Sequence, residues 1–96
     1  MNLESSWRRE PGIVARRIAG ETLLVPVTQR VQEMGLFTLN EVASFVWERL
    51  DGVRPVGELV NDLVDSFQVD EATAQADLAT FIGLLERTGC ARQVSA

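Results

Sequence analysis

The spacing of apolar residues in this chain changes at Asn40, and that change orders everything the chain can fold into. Before it, Ile13–Ile18 and Glu21–Val27 are rich in β-branched residues and flank the pair Ala19-Gly20, the pattern of a β-hairpin. Leu23, Val25 and Val27 share one face, and their alternation with Leu24 and Pro26 implies that the second face is partly covered or lies near an edge, since Pro26 cannot donate a ladder hydrogen bond. Gly35–Leu39 reads as a short third strand that enters Asn40 directly. After Asn40, apolar residues recur at spacings of three and four, the helical repeat. Asn40 is a good N-cap, and Ala43, Val46, Trp47 and Leu50 form a buried stripe with Val42 and Phe45 on its shoulders. Asp51-Gly52 supplies a stop, the short turn Asp51–Arg54 follows, and Pro55 restarts the chain as a first-turn residue. A second helix over about Pro55–Phe67 buries a stripe of Val56, Leu59, Val60, Leu63, Val64 and Phe67. A third runs from a cap at Asp70 to about Thr88, with Ala74, Leu78, Phe81, Ile82 and Leu85 inside.

The expected fold is therefore α+β: a three-stranded antiparallel sheet followed by three helices, a helix-turn-helix with a sheet before it, in the manner of a winged helix. Met1–Glu10 is polar and without period, and reads as a loose N-terminal arm whose Trp7 packs onto the rest. Residues 11–96 are expected to be a single domain. Thr28–Met34 is a polar connection, and Cys90–Val94 either adds a strand or trails.

Composition narrows function by exclusion. The chain has no His, Lys or Tyr and a single Cys, and its net charge is −5. Without His it lacks the commonest general base near neutral pH, and without Lys it cannot form a Schiff base. No metal site and no cofactor are expected, since no stretch has the Asp/Asn-and-Gly pattern of a calcium loop. Asp62, Asp65, Asp70 and Glu71 lie on a polar helix face and a cap, where nothing desolvates them into a catalytic pair. Cys90 has no basic partner forced near it and reads as a small packed residue. An enzyme is not expected. No run approaches the ~20 apolar residues of a membrane span, and the first ten residues lack the order of a secretory signal, so the expected location is cytoplasmic, with no membrane partner.

Charge is uneven along the chain. Residues 1–31 carry five arginines against three glutamates, and the remainder carries four arginines against eleven acids. The helix that would enter a DNA groove, Asp70–Thr88, holds Asp70, Glu71, Asp77 and Glu86 against Arg87 alone. Phosphates would repel such a surface, so no nucleic-acid partner is expected.

The third strand has a different character. Leu36, Phe37, Thr38 and Leu39 contain none of the charges or prolines that block edge pairing. An extended peptide can add a strand there, its backbone giving affinity and neighbouring pockets giving selectivity. The same edge could instead be covered by the arm or by a second copy of the chain.

Several runs resemble the PqqD-like family, also called RiPP recognition elements. They are Pro11-Gly12-Ile13-Val14-Ala15-Arg16, Gly20-Glu21-Thr22 with Leu24, Leu39-Asn40-Glu41-Val42-Ala43, Trp47-Glu48, Leu50-Asp51-Gly52, Arg54, Val56 and Glu58-Leu59. Val69-Asp70, Asp77-Leu78, Phe81-Ile82, Leu85 and Gly89 match the family's third helix. The resemblance implies a peptide-binding adaptor that captures the leader segment of a ribosomally synthesised precursor peptide and presents it to a modifying enzyme, for example a radical SAM protein. It implies that the leader adds beside the third strand and lies against the third helix. Leu36, Phe37, Thr38 and Leu39 then form the backbone edge, and Asp77, Phe81, Ile82 and Leu84 are groove residues, with Phe81 and Ile82 open between groove and core. The Thr28–Met34 connection is longer and more polar than in the pyrroloquinoline quinone members, which leaves room for another peptide system. The alternative is a self-associating or transcription-associated winged helix. The oligomeric state stays open between monomer and homodimer.

Overall fold

A computed structural model describes residues 2–26 and 37–94. Its elements, in order, are β1 (Ser6–Arg9), β2 (Ile13–Ile18), β3 (Glu21–Pro26), β4 (Phe37–Leu39), α1 (Glu41–Glu48), β5 (Asp51–Pro55), α2 (Val56–Phe67), α3 (Glu71–Thr88) and β6 (Ala91–Val94). The fold is α+β and winged-helix-like, with the expected antiparallel sheet in the order β2-β3-β4 and the three expected helices.

The β2–β3 hairpin turns on Ala19 and Gly20, both at positive φ (52° and 82°), as a two-residue turn matched to strand twist requires. The register then runs from Ile18 opposite Glu21 to Ile13 opposite Pro26. β4 joins on the far side of β3, with Thr22 opposite Leu39 and Leu23 opposite Thr38. Ile13, Leu24 and Leu39 turn into the core, where they meet the buried stripes of the helices. The stripe of α2 is Val56, Leu59, Val60 and Leu63, and that of α3 is Ala74, Leu78, Ile82 and Leu85. Asn40 caps α1 by accepting the Ala43 N–H at 2.8 Å, and Asp70 caps α3 by accepting the Thr73 N–H at 2.7 Å. Gly89 closes α3 in the left-handed conformation, with the Cys90 N–H returning to the Leu85 carbonyl.

Three expectations need correction. Part of the stretch read as a loose arm is β1, the central strand of a second antiparallel sheet ordered β5-β1-β6. Trp7 is buried to 7% exposure, and the carbonyls of Leu3 and Ser5 accept the Gly57 and Val56 N–H groups at 2.8 Å each. These main-chain contacts do the work of a cap for α2, whose N-cap residue Pro55 makes no side-chain cap bond. The second correction concerns Asp51–Arg54, read as a turn, which lies within edge strand β5. Pro55 sits just before α2 rather than in its first turn, opposite Ser6 of β1. The third is Gly52, which stops no helix, since α1 already ends at Glu48. It stands at φ 80° against β1 and β6, where a Cβ would come within 3.2 Å of both Arg8 Cβ and Val94 Cγ2. The tail resolves as β6.

Candidate functional site

The site begins with an asymmetry among sheet edges. Of the described strands, β2, β4, β5 and β6 each pair on one side only. β2 carries Arg16 and Arg17, β5 carries Asp51, Arg54 and Pro55, and β6 carries Arg92, residues of the kinds that discourage further pairing. β4 alone carries neither charge nor proline. Its N–H and C=O groups alternate in direction, so those that do not reach β3 face outward.

Immediately after β4 the chain turns into α1, and between α1 and α3 lies a cleft of about 380 Å³. Asn40, Val42, Ala43 and Val46 form one wall, Asp77, Thr80, Phe81 and Leu84 the other, with Leu63 and Leu78 also lining it. Asn40 directly follows β4, so this apolar slot opens beside the end of the unblocked strand. A second, larger cleft of about 700 Å³ lies between the hairpin and α1. It is more polar, with Arg17, Glu21, Glu41 and Glu48 around Thr38 and Ser44, and it shares Asn40 with the first. Phe45 and Phe67 close part of it edge to face, 5.2 Å between centroids, and the Arg49 guanidinium lies 3.5 Å over the Phe45 ring.

The structure distributes the candidate residues as follows. Leu36 lies outside the described residues, as does the Thr28–Met34 connection. Phe37 opens β4. Thr38 is exposed, and Leu39 is buried, with its side chain in the core and Thr22 of β3 opposite it. Asp77 is exposed, and Phe81 and Leu84 are half-buried; all three line the α1–α3 cleft. Ile82 does not line it: at 1% exposure it is part of the core beneath α3. Sequence reasoning missed the opposite wall. Val42 reads as a shoulder and Ala43 as part of the buried stripe, and both are only partly buried against the core, so helical spacing alone does not mark them as a wall.

Electrostatics at the site are those of caps and surface acids. The backbone N–H of Thr73 holds the Asp70 carboxyl below the usual carboxylate range. Cys90 is buried, and burial pushes its thiol pKa up, away from the reactive thiolate. Among the described residues no group of three or more His, Cys, Asp or Glu could hold a metal ion. No described helix is long and apolar enough to cross a membrane.

Comparison with known proteins adds the following. The family model for coenzyme PQQ synthesis protein D (PqqD) matches residues 21–90, a span that includes β4 and both walls of the α1–α3 cleft. No functionally curated protein matches the chain. Two solved structures share its fold. One is TbiB1 in complex with the TbiA(beta) leader peptide, at 24% identity and a TM-score of 0.72, covering 88% of this chain and 94% of that one. The other is a lasso peptide synthetase B1 complexed with the leader peptide, at 20% identity and a TM-score of 0.75, covering 91% and 98%.

Proposed function

This chain belongs to the PqqD family, and on that premise we propose that it is a cytoplasmic, non-catalytic adaptor that binds the leader segment of a ribosomally synthesised precursor peptide and delivers it to a modifying enzyme. The leader adds as a strand along β4, and its side chains enter the cleft between α1 and α3. The observation that carries this reading is the unblocked β4 edge, the one described edge free of charge and proline, beside an apolar slot. That the two solved relatives are complexes with leader peptides supports it. The enzyme served is a radical SAM protein or another precursor-modifying enzyme.

Magnitudes assign the two halves of the site different tasks. A backbone hydrogen bond contributes about 0.5–1.5 kcal/mol net, so a strand as short as β4 adds only a few kcal/mol and little selectivity. One branched or aromatic side chain buried in the cleft contributes about 1.5–3 kcal/mol. The edge thus supplies register, and the cleft supplies discrimination. Acids on α3 make nucleic acid a poor alternative occupant.

The test uses the full chain and a fluorescent synthetic peptide spanning the leader of a precursor encoded beside its gene. Proline is placed at Phe37 and, separately, at Thr38. Because neighbouring residues of a strand face opposite ways, one of the two removes an outward donor without breaking the β3 ladder. That variant is expected to bind at least about tenfold more weakly while its circular dichroism and melting stay near those of the parent. Full affinity in both folded variants contradicts the reading. A second copy could use the same edge; a dimer that persists when the leader is saturating would favour self-association instead.

A further inference from the structure

Along α3, Asp77, Phe81 and Leu84 fall on one face and form one wall of the cleft. Phe81 and Leu84 are apolar; Asp77 is an exposed carboxylate that makes no hydrogen bond or ion pair among the described residues. Among the described residues no arginine lines the cleft to neutralise it. The Asn40 side-chain oxygen on the other wall is already engaged as the cap of α1. The remaining acids of α3 deepen the imbalance, since Glu71, Asp77 and Glu86 face only Arg87 on the helix. The cleft is therefore an apolar slot with an unneutralised negative charge at its rim.

We infer that this site selects leader segments in which a branched or aromatic residue is accompanied by a nearby lysine or arginine, the apolar side chain entering between Val46 and Phe81 and the cation meeting Asp77. The inference rests on the proposed leader-binding reading and names its substrate class. An acidic residue at the same position would face Asp77 with like charge as the incoming strand displaces water from the cleft, which raises the repulsion above its value in bulk solvent. A neutral segment would forgo the pair. Exposed ion pairs are weak, so Asp77 acts as a filter among segments that already fit, favouring the basic ones by about fivefold rather than creating affinity alone.

The experiment is a selection of displayed random short peptides on the full chain and, in parallel, on Asp77→Lys. Lysine is a good helix former at this exposed position, and circular dichroism verifies that the variant folds. Peptides selected on the parent are expected to be enriched in Lys or Arg close to a large apolar residue. Those selected on Asp77→Lys are expected to keep the apolar residue and lose the basic one, with resynthesised parent-selected peptides binding the variant about fivefold more weakly. Equal basic enrichment on both proteins, or none on either, overturns the inference. The proline variants at Phe37 and Thr38 separate this from failure of the underlying reading. If they lose the selected peptides while the charge preference is absent, strand addition stands and the filter falls. If both bind the selected peptides at full strength, the reading falls as well.

Discussion

The two sheets differ in how they are assembled and in what they leave open. The β2-β3-β4 sheet begins with strands adjacent in sequence and ends in β4, which among the described residues pairs on one side only. The β5-β1-β6 sheet gathers strands from three distant parts of the chain, with Ser6 facing Pro55 on one side and Val94 on the other. Its own edges carry Asp51, Arg54, Pro55 and Arg92. Among the described residues the first sheet thus ends in a strand without charge or proline, whereas the second closes the chain on itself, with β5 against α2 and β6 against α3. A site that must accept an extra strand without unravelling needs such a separation. On the proposed function, the element that binds is kept apart from the element that locks.

The strongest challenge to this division is Trp7→Ala. If β1 locks the fold, removing a side chain buried to 7% exposure costs about 3–5 kcal/mol in urea denaturation, and a loose arm would cost almost nothing. The indole N–H is buried without a hydrogen-bond partner among the described residues, so Trp7 acts through packing, and Trp7→Phe is expected to be much milder. Gly52→Ala comes next. Its φ of 80° and the 3.2 Å approach to Arg8 and Val94 predict a loss of about 1–2 kcal/mol, with leader affinity unchanged at temperatures where the variant remains folded. The smallest effect is acid sensitivity at Asp51. Its carboxylate accepts the Arg54 and Val53 N–H groups at 2.9 Å each, and these bonds lower its pKa on folding. A depressed native pKa stabilises above the unfolded value, and that contribution is lost as pH falls through the native one. Asp51→Asn should therefore flatten the acid limb of the stability profile below about pH 4. Because the group is solvent-exposed, the change is slight.

The same contrast explains what the sequence could reveal. The hairpin and the stripe of α2 are written in local spacing, and both appear where that spacing puts them. β1 and β6 are four residues each and lack an apolar alternation, and their partners lie far away along the chain, so no window of neighbouring residues carries their pairing. Pro55 and Gly52 suggest helix boundaries because those are their commonest local uses. Their actual roles, an edge-strand end and a close approach to β1, depend on a sheet that was not foreseen. At the site, the absence of charge and proline in Phe37–Leu39 was readable because edge protection is a matter of residue type. Half of the cleft was not, because Val42 and Ala43 could equally have packed into the core, and Ile82 shares the helical spacing of Phe81 while facing inward.

Amide hydrogen exchange on the full chain, with and without the leader peptide of its precursor, tests strand addition most directly. The outward amides of β4 at Phe37–Leu39 should exchange quickly in the free chain and become protected on binding, with β1 and β6 unchanged. Protection confined to the β5-β1-β6 sheet, or binding that leaves β4 as fast as before, would contradict the account.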